Sequence, residues 1–166
     1  MAWDHVKVND FEYRVRRTAT SDLAAVRAVL AENQVSRPPQ PEMPREASGR
    51  EISMWDRMAA TSDLTVYLAE LGSEPIGTAS MMLMPNITYD CRPSAFIEAV
   101  VVKYAHRRRG VATLLIQQAL NDARTASCFK IQLLSHKRHS DDGAHRLYQS
   151  LGFTSEAEGF RLYLNQ

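Results

Sequence analysis

The stretch that most constrains the fold runs from Phe96-Ile97-Glu98-Ala99-Val100-Val101-Val102 through His106-Arg107-Arg108-Arg109-Gly110-Val111-Ala112-Thr113 into Leu114-Leu115-Ile116-Gln117-Gln118-Ala119-Leu120. An apolar run this rich in β-branched residues reads as a central strand. Over residues 110–125 the small and apolar side chains Ala112, Leu115, Ala119 and Ala123 form one helical stripe, with Leu114 and Leu120 beside it. Strand, tight loop and helix in that order make an anion cradle. The first backbone N–H groups of a helix lack internal partners, and the helix dipole favours negative charge there. Gly110 admits a ligand close to the backbone, small Ala112 keeps the first turn uncrowded, and Arg107, Arg108 and Arg109 bring charge that a phosphate can use. The plainer alternative is a helix that starts at the surface with no ligand, although arginine at a helix N-terminus is mildly unfavourable without an anion.

The rest of the chain alternates between the two periods. Phe11–Arg17 has strand alternation, and residues 20–33 have helical spacing at Leu23, Val26, Val29 and Leu30, with Thr20, Ser21 or Asp22 as N-cap. Residues 37–44 hold four of the seven prolines and must be a loop. A short helix is expected over 51–60 and a strand over 64–71. Gly72-Ser73-Glu74-Pro75 then turns the chain into a second strand over 76–84, making a hairpin. A polar loop, 85–94, precedes the apolar run. Beyond the long helix come a strand over 129–134, a helix over 143–151 ended by Gly152 with Phe153 packed behind it, and a last strand over 159–164. This order predicts one mixed α/β domain over residues 1–166, with its core over about 11–164.

Composition closes several other routes. A chain of 166 residues suits one domain, which can bury roughly 70% of its unfolded surface. A net charge of +1 speaks against nucleic acid as a partner, since a basic contact through residues 103–109 would belong to a strongly basic domain. Cys91 and Cys128 cannot build a disulfide framework and read as bystanders in a reducing, cytoplasmic setting. The histidines at 5, 106, 136, 139 and 145 are scattered, so no metal site is expected. There is no apolar leader and no run near the ~20 residues that cross a bilayer, so a soluble protein is expected. Neither a Walker loop nor a G-x-G-x-x-G turn is present.

Residues 107–112 match R-x-x-G-x-A, preceded by a strand of the form IE-x-VVV and followed by a long amphipathic helix, the strand FKIQLL, and AHRLYQSLGF, close to A-x-x-x-Y-x-x-x-G-F. Together these resemble the GCN5-related N-acetyltransferase (GNAT) superfamily over nearly the whole chain. The resemblance implies a mixed, mostly antiparallel central sheet flanked by helices, and acetyl-CoA as cofactor. It implies that the backbone of Arg108, Arg109, Gly110, Val111, Ala112 and Thr113 holds the pyrophosphate. Val100, Val101 and Val102 would pair with the pantetheine arm like an added strand, and an N–H near Val100 would polarise the acetyl carbonyl. It makes Tyr148 the acid that meets the departing thiolate. The polar residue before the last helix, which would touch the pantetheine, falls within Ser140-Asp141-Asp142, with Asp141 the candidate. The implied reaction moves an acetyl group to a primary amine of a small-molecule acceptor. A catalytically silent acyl-CoA-binding module and an acceptor amine on a protein or peptide are the alternatives, and a homodimer is compatible with the family. IE-x-VVV with Cys128-Phe129-Lys130-Ile131 also resembles the glucosamine-phosphate acetyltransferases, although Ala99 stands where those enzymes often carry an acidic residue.

Two side chains carry the chemistry. Glu98 is the only charged residue in its apolar run, where an unpaired carboxylate is costly to bury. Strand alternation puts it on the face of Phe96, Val100 and Val102. It is either the general base, directly or through water, or half of a structural ion pair. Tyr148 is either the general acid or a packed core residue with its hydroxyl at the edge. A base matters most for amines of pKa about 10.4, where deprotonation at pH 7 costs roughly 4–5 kcal/mol, against about 1 kcal/mol for a pKa near 8. The loops 37–49 and 85–94 are expected to flank the acceptor. His136-Lys137-Arg138-His139 would bind an anionic acceptor or the cofactor's 3′-phosphate, or be a solvated loop.

Overall fold

A single sheet carries the chain in the computed structural model, which describes residues 5–8, 11–33, 46–136, 143–160, 162 and 164. Its six strands are β1 (His5–Val8), β2 (Phe11–Arg17), β3 (Leu64–Leu71), β4 (Glu74–Met84), β5 (Ser94–Val102) and β6 (Lys130–Leu133), lying side by side in sequence order. All neighbours are antiparallel except β5 and β6. A parallel pair needs a crossover, and α3 (Val111–Thr125) supplies it. The other helices are α1 (Leu23–Leu30), α2 (Gly49–Ala59) and α4 (Ala144–Ser150). No helix among the described residues is long and apolar enough to cross a membrane.

The sheet buries both faces. On one, Tyr13, Tyr67, Ala79, Met81 and Ile97 pack with Val111, Leu115, Ile116, Ala119 and Ala123 of α3. The expected stripe of α3 is thus turned slightly: Val111 and Ile116 are buried, whereas Ala112 is only half-buried. On the other face Val66 and Leu68 meet Val26 of α1 and Trp55 of α2. The Trp55 indole N–H donates to the Thr20 carbonyl at 2.8 Å, so the one polar atom of this large ring is satisfied.

Local chemistry explains the boundaries. α2 starts two residues earlier than its periodicity predicts because Ser48 and Glu51 form a capping box: the Glu51 N–H donates to Ser48 Oγ, and the Ser48 N–H donates to the Glu51 carboxylate at 2.9 Å. Bonds from the Ser48 hydroxyl and amide, with Arg27 at 3.0 Å, hold the Glu51 carboxyl down to about 2. The hairpin turn is shorter than expected. Leu71 pairs directly with Glu74, which leaves Gly72, at φ 60°, and Ser73 to turn the chain. β1 was not anticipated, because His5–Val8 has too few apolar residues to show a pattern. The expected last strand is corrected: Gly159, Phe160, Leu162 and Leu164 lie in irregular backbone. Phe160, Leu162 and Leu164 are 90%, 82% and 84% exposed, so the burial that would offset strand ordering is missing. The proline-rich loop at 37–44 lies outside the described residues.

α1 is locked to the sheet by charge. Arg16 reaches Asp22 at 2.6 and 2.8 Å and Glu70 at 2.7 Å, and Arg14 also pairs with Glu70. The Arg16 hydrogen bond lowers the Asp22 pKa; burial pushes Glu70 up, but its bonds from Arg16 and Arg14 outweigh this and bring it down. Carboxyls lowered in the folded state stabilise it fully at neutral pH, and that contribution is lost as pH falls below about 4. Glu70→Gln should therefore lower Tm clearly at pH 7 and much less at pH 3, where the wild type has itself lost the interaction. A gap between the two melting curves that stays constant from pH 7 to pH 3 would refute this assignment.

Candidate active site

β5 carries one residue more than its partner. Thr78 pairs with Val101 and Ser80 with Glu98, so Ala79 alone faces both Ala99 and Val100. Ala99 takes φ 52°, and neither it nor Val100 has a partner residue across the ladder. This is a β-bulge, which strengthens twist and re-aims neighbouring groups. Ser80 Oγ donates to the Glu98 carbonyl across it at 3.2 Å.

The bulge overturns the facing read from simple alternation. Paired residues share a face, so Glu98 stands with Ser80, Thr78 and Val101, and with Phe96 below, while Val102 stands with Gly77 on the α3 side. Glu98 therefore does not share a face with Val100 and Val102, because the extra residue shifts the parity by one. Nor is it buried: Glu98 and Ala99 are both exposed, and no cation among the described residues lies within ion-pair distance of Glu98.

The sheet opens beside the bulge. β6 follows β5 only from Ser94↔Lys130 to Ile97↔Leu133, whereas β5 continues to Val102. From Glu98 onward the far edge of β5 has no strand against it among the described residues. Such an edge presents N–H and C=O groups ready to pair with an extended ligand.

α3 begins where that edge ends. A 3-10 turn, Tyr104–His106, follows β5; Arg107 is extended, Arg108 takes φ 59° and Gly110 φ 81°. Gly110 is the N-cap and has no side chain to satisfy the amides beyond it. The first intrahelical bond is Leu114 N–H to Gly110 C=O at 3.1 Å, so the N–H groups of Val111, Ala112 and Thr113 have no carbonyl one turn earlier. A Cβ on Gly77 would lie 3.0 Å from Val111 Cγ1 and 3.3 Å from the Val101 carbonyl oxygen. Glycine at 77 lets the start of α3 seat this closely on β4 and β5, beside the open edge.

The three arginines separate. Arg107 Nε donates to the Val102 carbonyl and its Nη2 to the Glu32 carbonyl, both at 3.0 Å, with the guanidinium 5.5 Å from the Tyr104 ring. Its own N–H donates to the Tyr104 carbonyl. Arg107 fastens the end of β5 to the chain leaving α1, so the expectation that it lends charge to a ligand passes to Arg108 and Arg109, both exposed. The helper at Glu32 was invisible in sequence: its carboxylate accepts from the Tyr104 N–H at 2.7 Å across 72 residues.

Tyr148 sits half-buried on α4, against the same core cluster as Val100 and Val102. Gly152, at φ 89°, donates to the Gln149 carbonyl and Phe153 N–H to the Tyr148 carbonyl, both at 3.0 Å, and the Phe153 ring lies edge-on to Tyr148. The expected left-handed cap thus orients Tyr148 through its neighbour. Asp141 lies outside the described residues, as do Lys137, Arg138 and His139 of the basic loop. In the loop 85–94, Tyr89, Asp90 and Cys91 all take positive φ, and Tyr89 stacks on Phe129 at 3.8 Å. Arg92 donates to the Ser127 and Cys128 carbonyls, pinning that loop to the turn before β6. A cavity of about 300 Å³ borders β3 on the face where Glu98 stands, two strands from it, lined by Arg17, Thr20, Trp55, Met58 and Val66.

Comparison with known proteins matches this arrangement to one family model, the acetyltransferase (GNAT) family, over residues 28–153. The glucosamine 6-phosphate N-acetyltransferase of Trypanosoma brucei brucei is 32% identical over 89 residues, covering 54% of this chain and 57% of that protein. The aminoglycoside N(6')-acetyltransferase type 1 of Acinetobacter haemolyticus is 41% identical over 61 residues, covering 37% of this chain and 41% of that protein. The chain thus spans less than two thirds of each of these curated relatives. A solved structure of a candidate acetyltransferase from Agrobacterium tumefaciens superposes with TM-score 0.75 at 32% identity, covering 90% of this chain and 98% of the other.

If Arg107 is a fastener, its loss shows in stability. Arg107→Ala should cost about 1–3 kcal/mol, at roughly 2–4 °C in Tm per kcal/mol for a chain of this size. Arg108→Gly, which removes an exposed side chain at a left-handed position, should leave Tm unchanged or raise it. Thermal unfolding of both variants checks this, and equal losses would reject the division of roles.

Proposed function

The chain belongs to the acetyltransferase (GNAT) family, and we propose that it moves the acetyl group of acetyl-CoA to a primary amine of a small molecule. The observation that carries the reading is the adjacency of an open, bulged strand edge and an uncapped helix N-terminus. Bound acetyl-CoA supplies an acetyl thioester as the electrophile. The Val111, Ala112 and Thr113 N–H groups receive the pyrophosphate, helped by the charges of Arg108 and Arg109. The edge from Val100 to Val102 hydrogen-bonds the pantetheine amides as an added strand would. The Val100 N–H, at the bulge where β4 offers no partner residue, donates to the acetyl oxygen, where negative charge builds as the amine attacks.

Glu98, exposed on its own face of β5, takes the proton from the ammonium, directly or through one water. The neutral amine then attacks the carbonyl carbon, the C–S bond breaks as the Tyr148 hydroxyl donates to the departing sulfur, and the second proton shed by the nitrogen ends on the thiolate, leaving the amide and the CoA thiol. A phenol of pKa about 10 hydrogen-bonds readily to a thiolate whose thiol has pKa about 8.5, and complete proton transfer is slightly uphill. The curated relatives are named for acetylating glucosamine 6-phosphate and aminoglycosides, which supports a small-molecule amine as acceptor. Cys91 and Cys128 are free thiols, in keeping with a reducing, cytoplasmic setting.

Two measurements test the proposal. Acetyl-CoA at about 100 times its Kd adds roughly 2.7 kcal/mol, which should raise Tm by about 5–10 °C; ATP and salt-matched phosphate should not. A flat response to acetyl-CoA would remove the cofactor site and the function with it. Glu98→Gln should slow acetylation at pH 7 far more for an amine of pKa about 10.4 than for one near 8. An unchanged rate and pH profile with both amines would eliminate Glu98 as the base.

A further inference from the structure

We infer that the acceptor is a primary amine on a compact apolar body, an aliphatic or arylalkyl amine, rather than a polyhydroxylated amino sugar. The inference rests on the acetyltransferase reading above and names the acceptor class of that same site. It comes from the strand register. On the face where Glu98 stands, the rows across the sheet are Val66–Ser80–Glu98, then Leu64–Met82–Phe96–Gln132, then Met84–Ser94–Lys130. α1 and α2 cover the part of this face around Leu68 and Val66. Beyond them the floor lies open: Met82 is 39% exposed and Met84 45%, with Phe96 half-buried between the two strands' neighbours. Large apolar side chains left in water directly below a carboxylate offer apolar contact to whatever that carboxylate holds.

Charge and hydrogen bonding select among amines. Apart from Glu12 and Glu70, at the β2–β3 side of the sheet with Glu70 held by Arg14 and Arg16, Glu98 is the only acidic residue on this face of the described strands β2 to β6. One carboxylate suits one ammonium, not the several of an aminoglycoside. A hexosamine laid on Met82 and Phe96 would leave ring hydroxyls without partners, at about 1–3 kcal/mol for each one buried. A sugar phosphate needs a cation near the amine site as well. The cation on these rows is Lys130, whose Nζ lies 5.8 Å over the Tyr89 ring. Its backbone lies four strand residues from Glu98, about 13 Å, and its ammonium is turned to Tyr89 instead of toward Glu98. Aliphatic amines also carry the high pKa, about 10.4, at which a base in the position of Glu98 has most effect.

The test assays the full chain with acetyl-CoA and four acceptors at equal concentration: hexylamine, 2-phenylethylamine, glucosamine 6-phosphate and neamine, with CoA thiol release and product mass as readouts. The expected result is a kcat/KM at least about tenfold higher for the first two. Faster acetylation of either amino sugar overturns the inference and leaves the acetyltransferase reading standing. No product from any of the four, in a protein whose Tm acetyl-CoA raises, overturns both. Met82→Gln, at a solvent-exposed site that folding tolerates, should raise KM for hexylamine by about tenfold with the acetyl-CoA-induced Tm shift unchanged. An unaltered KM in that variant also overturns the inference.

Discussion

The site depends on the single extra residue in β5. Ala99 at φ 52° occupies backbone space that costs a side-chain-bearing residue roughly 1–2 kcal/mol. The strain is held by what surrounds it: antiparallel pairing with β4 on both sides, buried Ile97 and Val101 in flanking positions, and the Ser80 hydroxyl on the Glu98 carbonyl. Two consequences follow from the same residue. The parity of β5 shifts, so Glu98 faces the α1 and α2 side. Ala99 and Val100 are left with no residue opposite them in the β4 ladder.

α3 begins beside that strand edge and is fastened to the sheet at both ends. Near its start, Gly77 lets Val111 close on the sheet. Toward its end, the buried Tyr67 hydroxyl donates to the Asp122 carboxylate at 2.8 Å, and Arg17 and Gln118 reach the same carboxylate. Burial, with the Asp122 hydrogen bond, pushes the Tyr67 phenol well above its ordinary range, so the link persists at any physiological pH. Arg107 fixes the connection between strand and helix. A helix N-terminus binds anions well only if its amides are already aimed, because ordering them on binding would subtract from affinity.

Much of this was legible in the sequence. The alternation of Phe11–Arg17, the hairpin around Gly72, the apolar run through Val102 and the helix opening at Gly110 are local patterns, and local patterns report local structure. Gly152 showed the end of α4 because only one backbone geometry rewards glycine there. Illegible were the bulge, since Ala99 is an ordinary residue in a strand, and the role of Arg107, since its partners at Val102 and Glu32 are backbone carbonyls with no side-chain signature. The alternation at Gly159, Phe160, Leu162 and Leu164 misled for the converse reason: a strand pattern becomes a strand only when burial offsets its ordering, and Phe160, Leu162 and Leu164 are exposed.

By itself, then, the sequence determined the element order from Phe11 to α4, the mixed α/β class and the long helix opening at Gly110, and it marked Glu98 and Tyr148 as candidates for acid–base chemistry. Periodicity, glycine placement and charge are written residue by residue, which is why these could be read. Tertiary structure alone decided which way Glu98 faces, that Arg107 is spent on backbone carbonyls while Arg108 and Arg109 are exposed, and that an open methionine-lined floor adjoins the carboxylate. Those outcomes depend on register between β4 and β5 and on contacts between residues as far apart as Glu32 and Arg107. Register and long-range contact are properties of the packed chain, with no counterpart in any single stretch of it.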